Sequence, residues 1–401
     1  MKPKLKHLRH PLRAATAAQA LIAARWNMRR SADRGERRFR DDPRYDLRNV
    51  IDGFASRLGD ETEDATLLER ICTAYIKAVR QQPFAPATYT ATGWWEQVRQ
   101  ANLTPVMRAL QNRDIGLVQQ MYRNFFRDPC SAGLIGVPWS GASFGSAAKE
   151  VYRRFYLGDV LHRIDYWKTQ TDGRFSLLDL AGPPVGNPFG ALIEGTLIRA
   201  GSEYQHYCAY RISGLLDSQR ATVAEIGGGF GDMAYYLFRD RARVTYLDFD
   251  LPESIALASY YLLKSFPQLT FLLYGEQELT ADSIARADVV LMPAFELPAM
   301  PTASVNLTFC SHVMSDTSPE DMAEYLDNIA RMTRDSFLFV GSSRAAETIS
   351  RLSRGYSSFT LAETRPSDWH AHRASNWSEA ECLFRVAPTV SRNRSAELVE
   401  K

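Results

Sequence analysis

Long apolar runs are missing from this 401-residue chain. Nowhere do apolar residues approach the ~18 in succession that a membrane-spanning helix needs, so no spanning segment is expected. Cysteine is scarce. Cys72, Cys130, Cys208, Cys310 and Cys382 stand singly with no Cys-x-x-Cys pair. A disulfide framework or thiolate zinc site is therefore not expected, and a reducing, cytoplasmic setting fits. Internal repeats are lacking. With 45% hydrophobic and 23% charged residues, the composition excludes collagen-like and wholly disordered chains. A dominant charge is lacking too, the net being +2.

That near-neutral total conceals two opposed regions. Residues 1–48 carry 14 Lys and Arg against 5 Asp and Glu, a net of +9, which leaves the other 353 residues with 34 against 41, a net of −7. Residues 1–48 read as a basic, flexible arm that could meet an anionic membrane surface or an acidic partner. Nucleic acid is not expected, because the body is acidic and no reading motif is visible. Ala14–Ala24 has the outline of a signal peptide, but Thr16 and Gln19 interrupt it.

Apolar spacing of three and four predicts helices within 66–79 and 106–126. Residues 130–190 are rich in Gly, Pro and aromatics and read as ordered loop, either lining a pocket or packing between domains. Residues 192–216 read as one or two helices. Beyond them strand-like and helix-like runs alternate, which predicts a parallel sheet wrapped by helices. The expected organisation is the arm, a helical and aromatic-loop domain over 49–190 covering an acceptor site, an α/β domain over 191–390, and a polar tail over 391–401.

The sharpest signal is the run Val223-Ala-Glu-Ile-Gly-Gly-Gly-Phe-Gly-Asp232: strand, glycine turn, helix start. Glycines let the backbone approach a ligand, and a helix N-terminus presents free N–H groups. Gly229, Gly231 and Ala234 satisfy the looser dinucleotide fingerprint, so spacing alone leaves a nicotinamide dinucleotide open. Glu225 favours another ligand. A carboxylate there repels a pyrophosphate but pairs with an ammonium group. After the next strand, Asp248 or Asp250 is placed to take ribose hydroxyls. Asp250 could instead cap the helix starting near Pro252.

Glu225-Ile-Gly-Gly-Gly-Phe-Gly231 and Asp250-Leu-Pro-Glu253 resemble the first two motifs of class I S-adenosylmethionine-dependent methyltransferases. Gly229–Leu237, Leu257–Leu262 and Ser311–Glu320 are similar to bacterial sugar O-methyltransferases. The resemblance implies a Rossmann-like, seven-stranded α/β sheet and S-adenosylmethionine as cofactor. Glu225, Gly227, Gly228, Gly229 and Gly231 would hold its methionine part, and Asp248, Asp250 and Leu251 its ribose and adenine side. The implied acceptor is a sugar hydroxyl on a glycan, glycolipid or glycosylated natural product. A base is expected at the end of the fourth strand. Plant-type O-methyltransferases carry histidine where this chain has Ser315, so His312 or Asp316 would substitute, Asp316 orienting His312. Both residues also have structural readings, Asp316 as a helix cap and His312 as a satisfied histidine. His370 and His372 read as a loop beside the acceptor pocket. No metal-ligand set is visible, although a divalent ion and a homo-oligomer stay open. So do transfer to nitrogen or carbon on a non-sugar natural product, a nicotinamide-dependent oxidoreductase and a non-catalytic binding protein.

Overall fold

The computed structural model describes residues 11–59, 65–135, 149–217, 221–241, 243–373 and 377–387. Its centre is an eight-stranded sheet. In chain order its strands are β3 (Ala221–Ile226), β4 (Val244–Asp250), β5 (Phe271–Leu273), β6 (Val289–Pro293), β7 (Val305–Ser311), β8 (Thr333–Ser342), β9 (Phe359–Pro366) and β10 (Glu379–Val386). They lie in the order β5-β6-β4-β3-β7-β8-β10-β9. All neighbours from β5 to β8 pair parallel, and β10 runs antiparallel to both β8 and β9. The fold is Rossmann-like α/β as expected, with one strand more than the seven anticipated. The short β5 forms the extra edge.

Successive side chains on each strand enter opposite layers. Val223, Tyr246, Leu307 and Leu338 join one apolar core, whereas Ala224, Leu247, Cys310 and Phe339 join the other. The first core holds α9 (Asp232–Asp240) and α10 (Pro252–Ser265), and the second α11 (Ala281–Arg286), α12 (Pro319–Met332) and α13 (Ser343–Ser353). Because β4 continues to one side of β3 and β7 lies on the other, the chain reverses direction across the sheet at β3. The carboxyl ends of β3 and β7 therefore border a crevice.

The N-terminal half adds α1 (Pro11–Phe39), α2 (Arg48–Gly53), α3 (Ala65–Gln81), α4 (Gly93–Val98), α5 (Thr104–Asn112), α6 (Ile115–Tyr122) and α7 (Glu150–Gln170). Three expectations are corrected here. First, 130–190 is not chiefly loop. The 21-residue α7 runs through it with Tyr152, Tyr156, Leu157, Val160, Ile164 and Trp167 buried. A helix buried on most sides loses the one-sided apolar stripe by which helices are recognised. Second, no boundary falls at residue 190, since Phe54, Tyr156 and Trp167 share one core with Tyr236 and Leu257. Residues 191–198 form the hairpin β1 (Ala191–Ile193) and β2 (Thr196–Ile198), and only α8 (Ser202–Leu215) is helical.

Third, the flexible arm is in large part a helix of the fold. Ser31, Ala32, Gly35 and Phe39 of α1 are buried. Gly35 and Gly158 meet so closely that a Cβ on either would lie 3.0 Å from the other's Cα. Arg154 pairs with Asp33 and Glu36, and Arg38 and Arg44 pair with Asp165. Phe39→Ala is expected to cost about 3–5 kcal/mol, the usual loss for truncating a buried Phe, as read by urea unfolding. Deleting residues 1–48 is expected to lower the melting temperature as well. An unchanged melting curve would restore the arm as an appendage. Among the described residues no helix is long and apolar enough to cross a membrane.

Candidate active site

The crevice at the ends of β3 and β7 is a cavity of about 550 Å³. One end is the glycine loop. Gly227, Gly229 and Gly231 have φ of 80°, 64° and 85°, in the left-handed region that favours glycine. Space is tight as well. A Cβ on Gly227 would lie 1.9 Å from Val313 Cγ2, and one on Gly228 2.6 Å from the Asp248 carboxylate. Gly227→Ala is therefore expected to displace the loop and lower ligand affinity at least tenfold. Binding at wild-type strength would show that the loop tolerates a side chain.

Two carboxylates fix the loop from β4. The Gly228 N–H donates to Asp248 Oδ1 at 3.0 Å, and the Gly229 N–H to Asp250 Oδ2 at 2.9 Å. Asp250 Oδ1 also accepts from the Leu251 N–H at 2.6 Å. Asp250, Leu251 and Glu225 reach the cavity wall together with Gly227, Gly228 and Gly229. Asp248 does not. It is fully buried beneath the loop, so its expected place on the ribose is corrected to that of a loop anchor. Gly231 also lies off the wall. It starts α9 and packs against Leu262.

Glu225 is 3% exposed, and its Oε2 accepts from the Tyr246 hydroxyl at 2.6 Å. Glu225, Asp248 and Asp250 form an acidic group, and among the described residues no Arg or Lys pairs with any of them. Burial raises all three, Glu225 and Asp250 to about 7 and Asp248 well above its usual range, with repulsion by Asp250 adding to Glu225 and Asp248 and repulsion by Glu253 adding to Asp250. The nearby Arg199 is engaged by Asp232, at 2.5 and 3.1 Å.

The other end of the cavity gathers residues distant in sequence. His312 directly follows β7 with φ 65°, where Val340 O accepts from its N–H at 2.8 Å. Its Nδ1 stands 3.8 Å from Glu379 Oε1, and its side chain is 41% exposed. The same Glu379 oxygen accepts from Trp377 Nε1 at 2.7 Å and lies 3.8 Å from His370 Nε2. Glu379 is itself buried. Burial and Arg163 depress His370 strongly, so it stays neutral. Asp316 lies in the turn Val313–Asp316, but its side chain is outside the described residues, so its expected role in orienting His312 is left there. Ser315, which occupies the plant-type position, accepts from the Ser342 N–H and so ties the turn to β8.

His370 lines the cavity, but His372 turns to Asp159, 2.5 Å away, and His206 is buried, accepting from Trp167 Nε1 at 3.1 Å. Glu379 escaped the sequence reading because 67 residues separate it from His312. Only the reversed β10 brings it to the crevice. The wall formed by Thr88–Thr92, Trp94 and Trp95 was also missed. It is clamped to α12 by the Thr88 hydroxyl, which lies 2.7 Å from Asp321 Oδ1 and 2.8 Å from Glu324 Oε2 with one hydrogen to share between them, and by Asn328 Nδ2, which donates to the Tyr89 hydroxyl.

No protein-family model and no curated protein matches this chain. Solved structures with similar folds include a candidate sarcosine dimethylglycine methyltransferase from Galdieria sulphuraria, 12% identical over 57% of this chain and 100% of that one, TM-score 0.36. The magnesium protoporphyrin IX methyltransferase from Synechocystis, solved with bound S-adenosylmethionine, is 10% identical over 46% of this chain and 77% of that one, TM-score 0.33. A SAM-dependent methyltransferase from Aquifex aeolicus is 9% identical over 44% of this chain and 88% of that one, TM-score 0.31. Likenesses this distant carry no function, which has to come from the geometry of the crevice.

Proposed function

We propose that the protein is an S-adenosylmethionine-dependent O-methyltransferase. The observation that carries this reading is the buried acidic group beneath the glycine loop. A pyrophosphate there would meet the carboxyl groups of Glu225 and Asp250 with no basic partner and Asp248 just beneath them, whereas an ammonium or sulfonium cation would relieve their repulsion. The residues present fit the cofactor: Glu225 for the ammonium, the glycine backbone for the methionine part, Asp250 for the ribose hydroxyls. When bound, the cofactor supplies an electrophilic methyl group.

The chain's own task is then to bring an acceptor oxygen into line and take its proton. His312 lines the same cavity, with Nδ1 toward Glu379, and is the imidazole placed to take that proton. A hydroxyl on a sugar is the acceptor we favour. Trp94, Trp95, Trp369 and Trp377, four of the seven tryptophans, line the cavity. Indole faces pack on the apolar faces of a ring, and Thr90, Thr92 and Gln205 offer hydrogen bonds between them. Isothermal titration with S-adenosylhomocysteine and with NAD tests the cofactor. Micromolar binding of NAD and none of S-adenosylhomocysteine would replace this reading with a dehydrogenase. Transfer of labelled methyl to a panel of glycans and aryl alcohols tests the acceptor.

A further inference from the structure

The outward face of α1 takes no part in the crevice, and it carries an unusual combination of side chains. From Ile22 to Arg30 every residue is exposed except the half-buried Met28, which packs against the core on the helix's inner side; full burial starts at Ser31. Ile22 is 66% exposed and Trp26 59%. At ~100° per residue, Ile22, Trp26, Arg30 and Arg37 fall within one sector of about 80°. Arg25 and Arg29 border that sector, and the buried Ser31, Gly35 and Phe39 lie on the other side of the helix.

The charges of this face are uncompensated. Arg25, Arg29, Arg30 and Arg37 are exposed, and among the described residues no carboxylate pairs with them. The acids of the same helix, Asp33 and Glu36, are engaged by Arg154 on α7. Arg38 is engaged by His162 and Asp165. The Arg30 guanidinium sits 4.7 Å over the Trp26 ring, which keeps cation and indole side by side.

We infer that this face of α1 docks the protein on anionic phospholipid membranes, lying in the interface without spanning it. Anionic headgroups supply the negative charge that the arginines lack. The boundary between headgroup and acyl chain takes an exposed isoleucine and indole, as in other interfacial helices. A nucleic-acid backbone would answer the arginines but give Ile22 no apolar surroundings. The inference does not depend on the function proposed for the crevice.

Co-sedimentation of the full-length protein with vesicles tests it. Vesicles containing about one-third phosphatidylglycerol should bind at least tenfold more tightly than pure phosphatidylcholine, and raising the salt should release the protein. Reversing three charges, Arg25→Glu with Arg29→Glu and Arg30→Glu, should weaken binding about a hundredfold. Trp26→Ala should weaken it severalfold with the charge unchanged. The melting temperature of each variant should match that of the wild type, since the altered side chains are exposed. Equal binding to neutral and anionic vesicles, no binding to either, or an inert charge reversal would each overturn the inference. So would tighter, arginine-dependent binding to a random DNA or RNA duplex than to the anionic vesicles.

Discussion

Asp250→Ala is expected to lower affinity for S-adenosylhomocysteine at least a hundredfold, measured by isothermal titration. The side chain serves twice, holding the Gly229 and Leu251 N–H groups and presenting a carboxylate at the cavity wall. Its removal therefore frees the loop and deletes a ligand contact together. A hydrogen bond to a charged group contributes about 1.5–3 kcal/mol, or roughly 10- to 150-fold. Glu225→Gln separates charge from shape. It can keep the Tyr246 contact yet loses the negative charge, so affinity should drop about tenfold or more. If Glu225→Gln binds as tightly as the wild type, the acidic group does not select a cation and the cofactor reading fails.

The same carboxylates set a pH dependence. Burial raises Glu225 and Asp250 to about 7, above the ~4 of unfolded carboxyl groups. Between those values the native state holds protons that the unfolded state has released. These groups therefore stabilise the free protein at low pH, and their contribution falls as pH rises through 7. A cationic ligand binds the ionised form, so its affinity should rise from pH 6 to 8 and then level. Affinity that is flat over that range would contradict the assigned role of the pair.

The glycine loop could be read from sequence because everything it needs is local: a strand end, glycines at positive φ and a helix start within ten residues. Asp250 was legible for the same reason. Asp248, two residues earlier on the strand, was not separated from it, since depth beneath a loop leaves no mark on spacing. The basic arm was misread because a charge count ignores direction. Ala32, Gly35 and Phe39 face inward while the arginines face out. Glu379 and the Thr88–Trp95 wall reach the crevice through a reversed strand and a packed loop, both set by tertiary contacts rather than by neighbours in sequence.

His312→Ala should lower kcat by about 10²–10⁴-fold, the usual range for removing a general base, with little change in cofactor affinity. The prediction depends on how His312 is held. Its positive φ is set by the strand end, where the backbone bonds to Val340, so the alanine variant should keep the turn. Glu379 acts on it as a positioning residue. At 3.8 Å the carboxylate is too far for a hydrogen bond in the free protein, yet its charge favours the imidazolium that forms when His312 accepts a proton. Glu379→Gln retains an acceptor for Trp377 and removes only the charge. It should lower kcat and shift the acidic limb of the pH–rate profile downward, because the histidine loses the anion that favours its protonated form. A merely structural role for Glu379 would change stability and leave that limb in place. Full activity in His312→Ala would move the base elsewhere on the wall, and unchanged pH dependence in Glu379→Gln would uncouple the pair.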